Sequence, residues 1–246
     1  MTNILLWFKI IWAALTSRSN QTFYDKISTI YDDVYTDHEI HARTIIGVLN
    51  EIYAGRQKNT LILDLGCGTG MLTKMLSQEG YKVIGMDISF SSLCVHQDKY
   101  PTHKLIQADA NFLPIAENTL HSVVCLGVWR HFPDVEKVLD EVARVLTKDG
   151  TFVVGYFPPA MAGTIDLNQS WWGKLLIRFY QLTTKTLGYI DRADFSLEEE
   201  TLELAKQKFN KLDKIESSSN TKNPWANPRG INNCCLLVSD NTVLKC

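Results

Sequence analysis

A chain of 246 residues, 45% hydrophobic and 21% charged, has the composition of a globular protein with room for one α/β core, or a core plus a lid. A formal net charge of −2 without a basic stripe argues against nucleic acid and favours small-molecule partners. Six cysteines without a C-x-x-C pair, mostly inside apolar runs, argue against a disulfide framework or a zinc site and read as reduced core thiols of a cytoplasmic protein.

The apolar run at residues 4–15 is shorter than the roughly 20 residues that span a bilayer. Met1-Thr-Asn lacks the charge of a signal peptide, and Lys9 interrupts the run. Three readings stay open: a helix packed on the domain or on a dimer partner, a substrate-entrance lid, or an interfacial membrane anchor. An aromatic stretch follows with Phe23, Tyr24 and Tyr31-Asp32. Ile45, Val48, Leu49 and Ile52 then recur at helical spacing, with Gly55 as a stop, and His38 and His41 read as solvated residues at the start of that helix.

Residues 60–71 organise the rest. An apolar run ends in Asp64 and opens into Gly66, Gly68 and Gly70; a helical pattern with Leu72, Met75 and Leu76 follows and closes at Gly80. Strand, tight glycine turn, helix is the order that brings backbone N–H groups and a helix N-terminus against a ligand. The glycines read G-x-G-x-G and not the dinucleotide G-x-G-x-x-G, since position 71 is methionine. A second apolar run ends in Asp87, about 20 residues on, where a ribose-binding acid is expected. This spacing points to a nucleoside held by its ribose, without a pyrophosphate cradle.

Ser89 is a plausible N-cap for a helix to about Lys99, and Pro101 ends it. Residues 104–109 read as the third strand and residues 121–127 as a fourth, apolar enough for a parallel sheet covered on both faces. Val128-Trp-Arg-His-Phe-Pro-Asp134 lies at its carboxyl end, the edge where open α/β sheets bind ligands. A helix over residues 133–146 should face the sheet with Val135, Val138, Leu139, Val142 and Leu146, before a turn at 148–150 and a fifth strand at 151–156. After a break at Phe157-Pro-Pro159, Trp171, Trp172, Phe179, Tyr180 and Tyr189 make a segment dense in aromatics, which suits an apolar or aromatic substrate. Leu197-Glu-Glu-Glu200 opens a further helix with acids at its positive end. Residues 211–216 and 234–239 read as the last two strands, paired antiparallel and joined by a turn-rich stretch at 223–230.

Leu63-Asp-Leu-Gly-Cys-Gly-Thr-Gly70, Gly85-Met-Asp-Ile-Ser89, Gln107-Ala-Asp-Ala110 with Leu113-Pro114, and Val142-Ala-Arg-Val-Leu-Thr-Lys-Asp-Gly150 stand in this order. By them the chain resembles the class I S-adenosylmethionine (SAM)-dependent methyltransferases, in the branch of ubiquinone/menaquinone-type C-methyltransferases and small-molecule methyltransferases. The likeness covers residues 23–157. It departs where the family has Phe-Asp at the start of the fourth strand and here His121-Ser122 stand, and at Lys-Pro-Gly, here Lys148-Asp149-Gly150.

The resemblance implies a Rossmann-like α/β fold: a seven-stranded, mostly parallel sheet with an antiparallel last strand and helices on both faces. It implies an N-terminal helical cap (1–55), a core (56–157 and 198–246) and a substrate-lid insertion (158–197). It also implies SAM as cofactor, with S-adenosylhomocysteine as product. Tyr31, Asp64, Gly66, Cys67, Gly68 and Gly70 would face its methionine part and Asp87 the ribose; Ile88, Asp109 and Ala110 would face the adenine, with Leu126 also at the site. His131 is the candidate base, because an imidazole titrates near neutral pH; Asp32, Asp166 and Asp191 are weaker candidates. The expected reaction is methyl transfer to an O, N or C nucleophile of a small lipophilic or aromatic molecule. The alternatives are a non-methylating, pericyclase-like enzyme on the same cofactor site and a non-catalytic partner subunit.

Overall fold

The structure, a computed structural model, describes the backbone of residues 2–34, 38–156, 196–209, 211–218 and 233–240. The expected lid with its tryptophan pair, Asp166 and Asp191, and the connection at 223–230 lie outside the described residues.

Alternation builds the core. In β1 (Leu61–Leu65), Ile62 turns to one face of the sheet, Leu63 and Leu65 to the other. The same split recurs in β4 (Leu120–Leu126) and β5 (Leu146–Tyr156): Val124 and Val153 bury on one side, Val123, Cys125, Phe152 and Val154 on the other. With β2 (Lys82–Asp87) and β3 (Lys104–Gln107) these strands form a five-stranded parallel sheet in the order β3-β2-β1-β4-β5. The central strands β1, β4 and β5 are too apolar on both faces to meet water, so helices cover both. Helices α4 (His38–Ile52) and α5 (Met71–Gln78) cover the first face through Ala42, Ile45, Leu49, Leu72 and Leu76. The other face is covered by α7 (Val135–Val145), through Val135, Val138, Leu139, Val142 and Val145. Two further extended segments follow later in the chain, β6 (Lys211–Ser218) and β7 (Asn233–Asp240).

Three local readings are corrected. The expected helix over 133–146 begins after Asp134, whose side chain caps the Lys137 N–H at 3.0 Å, and ends at Val145. The expected turn at 148–150 is a bulge inside β5: the register steps from Leu120↔Leu146 to Ser122↔Thr151, so five residues of β5 advance against two of β4. Cys67 and Cys125 are buried thiols, but Cys94 is exposed on α6 (Phe90–Lys99), because that position faces outward. The departures at His121 and Ser122 are structural: His121 Nδ1 accepts the Leu61 N–H (3.1 Å), and Ser122 Oγ donates to the Thr151 carbonyl (2.9 Å).

The N-terminal segment forms α1 (Thr2–Thr16), α2 (Asn20–Ile27) and the short α3 (Tyr31–Val34). Ser19 and Thr22 cap α2 reciprocally. Asp25 then clips α2 to the start of α6, accepting from Ser89 Oγ (2.7 Å) and the Ser91 N–H (3.1 Å). That clip lays α2 across the carboxyl ends of the strands.

Candidate active site

At that edge lies a cavity of about 410 Å³. Its floor is the ends of β1, β2 and β4 (Leu65-Gly66, Met86-Asp87, Leu126-Gly127), one wall is residues 108–111 after β3, and α2 supplies the roof with Asn20, Tyr24 and the nearby Tyr31. An adjoining space of about 300 Å³ shares Tyr31, Gly66, Gly68 and Leu126, and adds Asp32, Glu39, Asp64, Cys67 and Thr69.

The glycine turn is tied down before any ligand is considered. Gly66 N–H and Cys67 N–H both donate to the Met86 carbonyl, at 2.7 and 3.0 Å. Gly68 N–H donates to Asp87 Oδ2 and Ser89 N–H to Asp87 Oδ1, each at 2.8 Å. Burial pushes the Asp87 carboxyl above the usual carboxylate range, and the N–H groups of Ser89, Gly68 and Ile88 act against that. Each oxygen of Asp87 keeps a lone pair for a hydroxyl donor, and a pair of vicinal hydroxyls suits the two oxygens.

Asp64 is almost fully buried and accepts from Thr73 Oγ1 at 2.6 Å. Burial raises its carboxyl to about 7, against the Thr73 hydrogen bond, and the nearby Asp87 adds to the rise. Asp32 and Glu39 share this wall with Lys99, which is paired to Asp32, so its remaining side-chain charge is acidic. Asp32 is engaged by Lys99 and by Thr69 Oγ1, which makes it a structural member of the wall and a poor base.

The opposite wall presents hydrogen-bond acceptors. Asp109 Oδ1 accepts from the backbone N–H and the side-chain amide of Asn111, at 2.9 and 2.8 Å. This fixes the Asn111 amide with Oδ1 turned away from the carboxylate; that buried oxygen has no hydrogen-bond partner among the described residues, so it is an acceptor held ready at the cavity. Ile88, 39% exposed, offers apolar surface beside it.

His131 also lines the cavity, and its Nε2 meets the Tyr24 hydroxyl at 2.9 Å. The rings touch edge to face with centroids 5.4 Å apart, Tyr24 contacts Tyr31 similarly at 6.1 Å, and Asn20 Nδ2 donates to the His131 carbonyl at 2.8 Å. Trp129, two residues earlier, belongs to the core: it is buried, and its Nε1 donates to Thr201 Oγ1 at 2.9 Å on α8 (Ser196–Lys208).

The structure thus brings Tyr31, Gly66, Gly68, Asp87, Ile88, Asp109, Ala110, Leu126 and His131 to the larger cavity, and Asp64 and Cys67 to the adjoining one. Gly70 lines neither. A Cβ there would lie 2.4 Å from the His96 ring, so Gly70 makes room for that buried imidazole. His96 stands behind the turn between Cys67 Sγ (3.5 Å) and His103 Nδ1 (2.9 Å); burial lowers it to about 4, with His103 adding to the effect, so it packs neutral. Sequence reasoning missed Asn20, Asn111 and the pairing of Tyr24 with His131. For Asn111 the D-x-N spacing of an Asx turn was a usable signal. Asn20 and the pairing had none, being contacts across more than a hundred residues.

Residues 63–154 match the family described as "Methyltransferase domain". The chain is 37% identical over 112 residues to a demethylmenaquinone methyltransferase of Thermus thermophilus, covering 43% of this chain and 51% of the relative. It is 24% identical over 159 residues to a 2-phytyl-1,4-naphtoquinone methyltransferase of Thermosynechococcus vestitus, covering 62% and 70%. The first of these matches spans about half the relative's length. Among solved structures, the SAM complex of a magnesium protoporphyrin IX methyltransferase from Synechocystis superposes with a TM-score of 0.57 at 17% identity, over 86% of this chain and 83% of that one, a likeness of fold. The sequence matches thus mark residues 63–154 as a methyltransferase domain of the SAM-dependent type, and the fold agrees with that of solved SAM-dependent methyltransferases.

Proposed function

We propose that this protein transfers the methyl group of SAM to an O, N or C nucleophile of a small lipophilic or aromatic molecule. The observation that carries the reading is that Asp87, pinned by Gly68 and Ser89, stands between the acidic Asp64 side and the Asp109–Asn111 edge. Bound SAM supplies a methyl on a positively charged sulfur, open to in-line displacement. For their part, Asp87 accepts the ribose hydroxyls, Asp109 and Asn111 Oδ1 accept from an exocyclic adenine amine, the Ala110 N–H meets a ring nitrogen, and Ile88 packs on the ring face. Asp64, with Asp32, Glu39 and Tyr31, borders the space for the methionine ammonium. Tyr24 and His131 face the acceptor beyond. The quinone-type relatives favour a lipophilic acceptor. We further take the core to be the seven-stranded sheet with antiparallel last strand, residues 1–55 to be the cap and 158–197 the substrate lid. The compartment is taken as cytoplasmic, which the free thiols support.

The test is calorimetric binding of SAM, then S-adenosylhomocysteine release over quinol-like and aromatic acceptors. Asp87→Ala should weaken SAM by about 1–3 kcal/mol, the range for charge-assisted hydrogen bonds. A folded Asp87→Ala protein with unchanged affinity would mean that the ribose lies elsewhere. Substrate turnover without homocysteine-nucleoside release would instead establish the non-methylating reaction.

A pH dependence follows from Asp64. Its carboxyl is protonated below about pH 7 in the folded chain. A ligand cation favours the ionised form, so binding releases a proton and affinity rises with pH, levelling off above about 7. One unit below its pKa only about a tenth of the group is ionised, so SAM should bind about tenfold more weakly at pH 6 than at pH 8. Asp64→Asn should flatten this slope; a flat profile in the unmodified chain would remove Asp64 from the cation site.

A further inference from the structure

Helix α1 carries an apolar stripe that stands exposed among the described residues. Leu5, Phe8, Trp12 and Leu15 are 50–65% exposed and recur at helical spacing along one face, while Ile10, Ile11, Ala13 and Ala14 on the other face are buried. An uncovered stripe alone names no occupant; charge does. The whole chain is acidic at −2, yet residues 1–24 contain no Asp or Glu and carry Lys9 and Arg18, both exposed. Lys26 adds a third cation: its amine lies 5.2 Å from the centre of the Trp12 ring and donates to Thr16 Oγ1 at 2.8 Å. Aromatic and leucine side chains on one face, flanked by Lys and Arg, make a helix that lies in the interface of an anionic bilayer. At 15 residues it is about 22 Å long, short of the roughly 30 Å hydrocarbon core, and no described helix is long and apolar enough to cross a membrane. A second copy of the chain is the poorer occupant, because a two-fold contact through this face would bring the same cations together.

The geometry points to α1 as a docking face for an anionic lipid surface, with the cavity mouth held at that surface. Arg18, Ser19, Asn20 and Gln21, directly after α1, line the cavity. A helix seated in the headgroup layer therefore opens the site toward the bilayer, from which a lipophilic acceptor enters without crossing water. The docking stands by itself; its use for acceptor supply rests on the methyl-transfer reading.

The test is co-sedimentation of the full chain with vesicles of phosphatidylcholine alone and of phosphatidylcholine mixed equally with phosphatidylglycerol, with light scattering for oligomeric state. The chain should bind the anionic vesicles, bind the neutral ones at least about tenfold more weakly, and lose binding as salt rises. Trp12→Glu should abolish partitioning, and Lys9→Glu should reduce it about tenfold on anionic vesicles. Both substituted side chains are solvent-exposed, so both variants should fold and bind SAM as the parent does; that readout separates failure of docking from failure of the methyltransferase reading. Equal affinity for neutral and anionic vesicles, no affinity for either, or a dimer that Trp12→Glu dissociates without any vesicle binding would each overturn the proposal.

Discussion

Tyr24→Phe and His131→Ala should each lower methyl transfer to a hydroxyl or phenol acceptor by about a hundredfold or more, the usual scale for a positioned acid–base group. SAM affinity should stay within about twofold in both. The reason is the 2.9 Å contact between the Tyr24 hydroxyl and His131 Nε2. With Nε2 occupied by the phenol, an acceptor beside this pair meets the Tyr24 oxygen. Its proton would pass to that oxygen as the phenol proton passes to Nε2, which would leave an imidazolium and a neutral tyrosine; the oxygen set free would attack the methyl carbon. Tyr24→Phe keeps the ring against Tyr31 and His131 and deletes only the relay atom, so turnover should fall without loss of stability. Asn20 holds the His131 carbonyl, and Asn20→Ala should cause a smaller loss by loosening the histidine. Equal turnover in Tyr24→Phe with a large loss in His131→Ala would make the histidine the direct base. Unchanged turnover in both would leave an acceptor acidic enough to need none.

Much of this site was legible in the sequence because its parts are local. Gly66, Gly68 and Asp87 stand on strand ends that alternation and punctuation identify, and the strand-turn-helix order decides where they meet. Asp109 was legible through the family resemblance, as the acid after the third strand. The helix face of Val135, Val138, Leu139 and Val142 followed from period alone, and all four are buried. Contacts that depend on how the cap lies over the sheet were not legible. Tyr24 reads as one aromatic among several until α2 is clipped to Ser89 and Ser91 by Asp25. Gly70 reads as a third ligand glycine, and only packing shows that His96 occupies the space beside it. Two of the quoted motifs are joined by one residue: Arg144 donates to the Leu113 and Ile115 carbonyls while paired with Glu141, which takes the Leu113 N–H. These two motifs are therefore tied to each other through packing in the fold.

The glycine turn separates fold from ligand at adjacent positions. Gly66 has φ +75°, and an added Cβ would sit 2.4 Å from Val128 Cγ1 and 2.8 Å from its Cβ. Neither side can give: the turn is tethered to the Met86 carbonyl by two N–H groups, and a β-branched side chain has little χ1 freedom. Gly66→Ala should therefore combine left-handed strain of about 1–2 kcal/mol with overpacking of about 1–3 kcal/mol, giving a clear loss of thermal stability along with weaker SAM binding. Val128→Gly removes every colliding atom, so the double variant should recover about 1–3 kcal/mol relative to additivity, and a strictly additive pair would show that the collision is not the cause. Gly68 has φ +51° and, among the described residues, no atom within 4 Å of an added Cβ, because that direction is open space at the cavity. Gly68→Ala should thus cost only about the left-handed strain in stability. If the cofactor approaches the backbone there, as proposed, the added methyl lowers SAM affinity at least about tenfold, a loss of about 1.4 kcal/mol, measured by calorimetry on the folded variant. If Gly68→Ala instead unfolded the chain while binding per folded molecule stayed intact, the turn would serve the core alone and the cofactor would approach from another side.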